Sequence, residues 1–318
     1  MFRFRWGVGA LAALLPLSLL AIVAFLLEYA WPAVRFNGLG FLVHNSWNLG
    51  SMYGNPITVD GQQVLPHANY GVLFLISGTL WSSLIAIVLA LPLGVLSAIF
   101  LSEGLRGATR TAGSFLVELL AAVPSVVYGL WGYVVLIPFL GKLVYPWMEH
   151  TLGAYLPMFR GPAGSGYGLL TSGIVLCFMI VPLITATLRD ALVATPAALR
   201  ESGVSLGATR MEVMRRILLP GQRPVLIGAT ILALGRALGE TMAVLMVSGN
   251  ALNVLPHNIY DPISTMAAFI ASQLDSALQD PTGMAVRALA EVALLLMLIS
   301  VAVNAAARGL LWLAGRRA

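Results

Sequence analysis

Six apolar runs, separated by segments rich in Gly, Pro, Asn and charge, set the rhythm of this chain. They fall at about 7–27, 72–101, 112–140, 168–188, 223–249 and 284–308. Each is about 20 residues or longer, the length a helix needs to cross a hydrocarbon core. The strands of a barrel would show shorter, alternating segments. The pattern predicts an all-α polytopic membrane protein of about six transmembrane helices. Residues 1–30 form an N-terminal transmembrane helix, 31–71 an outer segment, and 72–318 the main helical body. Segment 28–71 carries turn chemistry at Tyr53-Gly-Asn-Pro and Val59-Asp-Gly-Gln and reads as an ordered surface loop, with a packed short helix or a small outer cap as the alternative. Its aromatics Phe36, Phe41, Trp47, Tyr53 and Tyr70 suit an interfacial belt. Pro92, Pro124, Pro138 and Pro182 predict kinks in the second to fourth runs.

Composition agrees. The chain is 59% hydrophobic and only 10% charged, far below the roughly 25% of a soluble domain. A net charge of +5 does not require nucleic acid. With the N-terminus inside, thirteen arginines fall in inner segments, while Arg35, Lys142, Arg160 and Arg287 fall outside. That asymmetry is the positive-inside rule, and it places both termini in the cytoplasm. The first run is longer than a signal-peptide core and lacks a clear cleavage site, so it is expected to be retained. One cysteine, Cys177, excludes an internal disulfide, and the four histidines show no ligand spacing. No metal or cofactor is expected. No G-x-x-x-x-G-K-[ST] loop occurs, so any ATP hydrolysis belongs to another subunit and the chain is not itself an enzyme.

Charge inside the apolar runs is the informative exception. Arg236 and Glu240 stand four residues apart in the fifth run, a spacing that puts both on one helical face. A guanidinium at bilayer depth costs about 2.5–3.5 kcal/mol on insertion scales, so such residues face a bundle interior and mark a path. Its planar fork suits an oxyanion, and Glu240 would neutralise it in an empty path. The other reading is an ion pair that fixes helix register. Gly235 and Gly239 form a G-x-x-x-G pair for close helix packing. Glu118, Ser125, Tyr128 and Thr241 complete the candidate path. Glu118 either lines that path, pairs with an arginine of a neighbouring helix, or bonds to backbone. Arg287 and Glu291 read as an interfacial pair near the outer end of the sixth run.

The segment 189–220 reads as two short inner helices. Thr195-Pro196 would open the first, and Gly207 would break it. Thr209-x-x-Glu212 is a capping box for the second, and Pro220 would stop it. A membrane-surface amphipathic pair would look similar. Yet Glu201, Gly207, Ile217, Leu219 and Pro220 keep a distinctive spacing. It resembles the loop shared by permeases of ATP-binding-cassette importers: Glu-Ala-Ala, three residues, Gly, nine residues, Ile-x-Leu-Pro. Ser202-Gly203 replaces Ala-Ala. The resemblance implies a type I importer permease fold, with these five residues coupling to a cytoplasmic ATPase.

Three more segments resemble the phosphate-specific PstC branch of that family. They are Leu91–Glu103 with the preceding Tyr70–Leu80, Glu118–Gly132, and Leu234–Val244 with its Arg-Ala-Leu-Gly-Glu-Thr run. The PstA branch shares part of this, and the long outer segment favours PstC. The resemblance implies a PstA-like sister permease, a dimer of P-loop ATPase subunits (PstB-like), an extracytoplasmic phosphate-binding protein (PstS-like) and phosphate import across the inner membrane. The competing readings are a permease for sulfate, molybdate or a phosphonate, and a stand-alone anion channel or secondary transporter.

Overall fold

The computed structural model describes residues 2–315 apart from Met52 and Ala163, and side chains only within 12–309. The arginines at 3, 5, 316 and 317 therefore lie outside the described side chains. A long helix α1 (Phe2–Asn37) leads into a short α2 (Gly40–Val43) and four small strands. These are β1 (Trp47–Asn48), β2 (Ile57–Val59), β3 (Gln62–Val64) and β4 (Asn69–Tyr70). Next come α3 (Leu73–Ile99) and α4 (Gly107–Ala122). A third crossing runs through α5 (Ser125–Trp131), α6 (Ile137–Phe139) and α7 (Tyr145–Thr151), joined by π-turns. Then follow α8 (Leu169–Ala194), α9 (Ala197–Ser205), α10 (Arg210–Val213) and α11 (Leu219–Gly221). The chain finishes with α12 (Arg223–Leu238), α13 (Met242–Val247), α14 (Met266–Ala277) and α15 (Met284–Gly315).

Among the described residues, five helical stretches are long and apolar enough to cross a membrane: Ala12–Asn37, Leu73–Gly104, Ser125–Thr151, Leu169–Ala194 and Met284–Gly309. At 1.5 Å per residue α12 measures only about 24 Å, short of a hydrocarbon core of about 30 Å, and the six residues of α13 make up the difference. Counting crossings puts the strands after α1 at one end of the molecule, the cap end, and α9 to α11 at the other, the loop end. The centre is the pair α3 and α8. Each accepts an isoleucine of the other at a glycine: a Cβ on Gly173 would sit 2.4 Å from Ile85 Cγ2, and one on Gly94 2.8 Å from Ile184 Cγ2. Small residues are what let helices approach this closely in lipid. Helix α12 packs on this pair, and α1 lies against α15.

The structure corrects the sequence expectations in several places. Segment 28–71 is a folded cap, not a surface loop. Asp60 and Gly61 both take positive φ (48° and 75°), the geometry of a two-residue hairpin turn, and close β2 onto β3. Strand β1 pairs with β4, and Phe41, Trp47, Val64 and Tyr70 are buried in a cluster with Phe74, Phe269 and Met284. Only Tyr53 of the predicted aromatic belt is fully exposed. Asn253 straps the cap to the later chain through bonds to both backbone groups of Trp47. Burial, and then the Asp280 carboxylate, push the Tyr70 hydroxyl above its ordinary range. Helix α14, inside what reads as an outer loop, contributes Phe269 to the same cluster.

The third run is not one helix over 112–140. Pro124 sits between α4 and α5 in an extended conformation (φ −60°, ψ 142°), and the crossing starts at Ser125 and extends past Lys142. Pro92 and Pro182, by contrast, lie inside unbroken helices. The fifth run is also broken, at 239–241.

Candidate functional site

The two breaks lie beside one another because α5 packs on α13. A Cβ on Gly129 would be 2.9 Å from both Ala243 Cα and Met246 Sδ, and one on Gly132 2.9 Å from Val247 Cγ1. Only glycine at these positions admits α13. At the first break, the Tyr128 hydroxyl reaches back and donates to the Leu120 carbonyl at 2.8 Å, a second bond beside the one from the Val123 N–H that caps α4. Ser125 opens α5, half-buried.

At the second break, Gly239 (φ −92°, ψ 1°) ends α12, and Thr241 (φ −108°, ψ −66°) precedes α13. Arg236 is thus in the last turn of one helix, while Glu240 belongs to the connection. The i,i+4 geometry is lost with the helix. Among the described residues Arg236 and Glu240 form no ion pair. Glu240 instead turns toward α13 and accepts from the Ala243 N–H at 3.5 Å. The Thr241 hydroxyl donates to the Gly239 carbonyl at 3.4 Å. Arg236, half-buried, acts electrostatically on Tyr128 across the α5 contact. The predicted helix-packing glycines are not tight: Gly239 meets only its own helix, and Gly235 meets the Asn304 side chain at 3.7 Å. Asn304 on α15, absent from the sequence reading, has a buried amide oxygen without a partner.

Glu118 is drawn elsewhere. It accepts from Arg189 Nη2 at 2.9 Å, while Asp190 takes Arg189 Nε at 2.9 Å and Nη2 at 2.6 Å. Of the sequence alternatives, pairing with a neighbouring arginine is the one formed. Arg189 looked like an inner-surface residue because the apolar run ends at 188. Helix α8 continues six residues further, and its Arg189 is 6% exposed. The Arg287–Glu291 pair does not form either. Glu291 is buried and accepts from Asn37 Nδ2 at 2.7 Å, which fastens α15 to α1.

The loop end folds much as its residues dictate, with two changes. Thr195 ends α8 rather than opening α9; its hydroxyl donates to the Ala191 carbonyl and accepts from Gln222 Nε2 at 3.1 Å. Pro220 does not stop the second helix but lies within α11. The π-turn Met214–Leu218 precedes it, and the 66° bend follows between Gly221 and Arg223. Gly207 (φ +84°) closes α9: its N–H bonds to the Val204 carbonyl and the Ala208 N–H to the Gly203 carbonyl. That pair of bonds is a Schellman motif. The Thr209–Glu212 capping box forms both ways. Its two bonds from Thr209 hold the Glu212 carboxyl below the ordinary glutamate range. The departure at Ser202-Gly203 has a packing reason. A Cβ on Gly203 would come within 2.7 Å of Val213 and 3.1 Å of Ile217, so glycine seats α9 on the second helix. Glu201 is exposed, as are Leu199, Val204, Leu206 and Met211, whose apolar side chains nothing among the described residues covers.

Residues 90–311 match the family described as "Binding-protein-dependent transport system inner membrane component". A Mycobacterium tuberculosis protein named "Phosphate transport system permease protein PstC 1" is 44% identical over 309 residues, covering 96% of this chain and 91% of that protein. PstC of Pasteurella multocida is 36% identical over 96% of this chain and 89% of its own length. PstC of Mesorhizobium japonicum is 39% identical over 94% and 86%. Among solved structures, a chain of the inward-facing MetNI methionine ABC transporter gives a TM-score of 0.46 at 21% identity, covering 75% of this chain and 94% of that chain. With its multiple apolar crossings and a family match over most of its length, this chain belongs to the inner membrane components of binding-protein-dependent transport systems.

Proposed function

We propose that this chain is the PstC-type permease subunit of an ATP-driven importer that moves inorganic phosphate inward across the inner membrane. The observation that carries the reading is the 44% identity to a phosphate permease over 96% of the chain. Its site supplies the chemistry. Arg236 offers guanidinium donors at a helix break with no carboxylate paired to them, and a planar fork matches phosphate oxygens. Glu240, two residues past the end of α12, keeps negative charge near without quenching that fork. A site that held its ion too tightly would not release it. Thr241, Ser125 and Tyr128 line the same pair of breaks. Glu118 acts through Arg189, tying α4 to α8, rather than on the ion.

The partners follow from the same reading. A PstA-like permease completes the path, and a PstB-like ATPase dimer covers the exposed apolar face of α9. A PstS-like protein delivers phosphate at the cap end. Glu201, Gly207, Ile217, Leu219 and Pro220 shape the coupling loop, and both termini are cytoplasmic. The test is ATP-dependent uptake of radiolabelled phosphate by the reconstituted complex, with unlabelled sulfate in tenfold excess. Undiminished phosphate uptake is expected. Equal competition by sulfate would reassign the cargo, and uptake without the ATPase would reject the importer.

A further inference from the structure

A second cationic cavity lies at the loop end, away from Arg236. It is a cleft of about 390 Å³ between the end of α3, the start of α4, the end of α8 and the α9–α10 segment. Arg106, Arg110, Arg200 and Arg210 line it, with Glu103 as its acidic residue. Glu103 is committed to Arg200 at 3.0 Å, and Arg200 also donates to the Leu192 carbonyl at 2.6 Å. Among the described residues the side chains of Arg106, Arg110 and Arg210 have neither a hydrogen bond nor an ion pair. Three like charges converging on one cleft repel one another, and among the described residues the one acid lining it, Glu103, is already paired with Arg200.

The backbone adds to the same field. Arg106 is the residue before α4, a sixteen-residue helix with no capping side chain and no acid in its first turn. Gly107 also lines the cleft and holds φ +54° there. First-turn N–H groups without a cap attract anions, and the helix dipole reinforces them. The Arg200 Nε is buried and lacks a partner. The coupling residues Gly207, Ile217, Leu219 and Pro220 do not line this cleft.

We propose that this cleft binds the phosphate group of an anion, either free phosphate at the loop end or the headgroup of an acidic phospholipid. The shared chemistry is a tetrahedral oxyanion held by arginine forks and by the open N-terminus of α4. Occupied, the site would clamp α4 to the α9–α10 segment and so join the coupling loop to the helix that ends at the Pro124 break. This site is separate from Arg236 and does not require phosphate to be the cargo.

The experiment uses full-length protein in detergent, in an R236Q background that disables the path arginine. Inorganic phosphate is titrated calorimetrically. Phosphatidylglycerol retention is read by native mass spectrometry, with phosphatidylcholine as reference. R106Q/R110Q removes two cleft charges. R215Q/R216Q removes two exposed charges from the same end but outside the cleft. Saturable binding of either probe, weakened at least tenfold by R106Q/R110Q and less than twofold by R215Q/R216Q, supports the site and identifies its ligand. R106K/R110K should restore most of that affinity, which separates charge from folding. The proposal is overturned if neither probe binds, if the two glutamine pairs act alike, or if the lysine pair restores nothing.

Discussion

The two helix breaks at the heart of this molecule differ in how they are finished. The break at Pro124 is closed: an imide without an N–H ends α4, and the Tyr128 hydroxyl covers the Leu120 carbonyl. The break at 239–241 is open. Gly239 ends α12 without a side chain, and Arg236 keeps its donors unspent. One break is satisfied from within the chain and shapes the fold. The other leaves polar groups that only a ligand or a partner can complete. In a low-dielectric setting unfinished groups are costly, and their persistence here is what supports our proposal that this break carries the function.

That contrast can be broken by substitution. The largest effect should come from R236Q, which removes a charged donor from the open break. Phosphate uptake is expected to fall about 10- to 100-fold, from the worth of a hydrogen bond to a charged group, with assembly unchanged by size-exclusion chromatography. Uptake within twofold of the parent would erase the distinction between the breaks. G129V attacks the seam that brings them together. The added side chain would press on Ala243 backbone, with an expected loss of about 1–3 kcal/mol visible as a lowered Tm. Y128F tests the closed break alone. It should cost about 0.5–1.5 kcal/mol in stability and leave uptake within twofold, and a loss as deep as that of R236Q would move Tyr128 onto the path.

The smallest effect lies away from both breaks. Glu212 has its carboxyl lowered on folding, so the capping box contributes above the ordinary glutamate range (about 4.3) and is lost as pH falls through the depressed folded value. Protection factors of the Arg210–Val213 amides, with the intrinsic pH dependence of exchange divided out, should fall on acidification below that range, and Glu212→Gln should flatten the dependence. An unchanged profile in the parent protein would remove the box from the stability of the loop.

What could be read from residues alone follows the range of the forces involved. The capping box, the Gly207 stop and the first, second, fourth and sixth apolar crossings are local, and each appeared where its residues stand. Pro124 marked a kink at the first break, but the break at 239–241 was not legible, because in lipid an apolar run carries no periodicity that distinguishes a continuous helix from an interrupted one. The Arg236–Glu240 pairing failed for that reason: a four-residue spacing means one face only while the helix persists. Arg189 was misplaced because a hydropathy edge one residue away hid a helix that continues to Ala194. The cap was one of two readings of its segment, and the residues could not decide for it because its burial depends on Phe269 and Met284, far along the chain.

Asn253 holds Trp47 across a sequence separation of 206, and Glu291 holds Asn37 across one of 254. A ribosome making this protein therefore releases α1 and the strands long before their companions exist. Closing a loop of that length is the slow, entropically expensive step of assembly. The early third must wait, inserted yet unfinished, until the final helix arrives. Biogenesis, not the finished architecture, is where this protein is most exposed to quality control, and damage to the last helix should surface first as a disordered beginning.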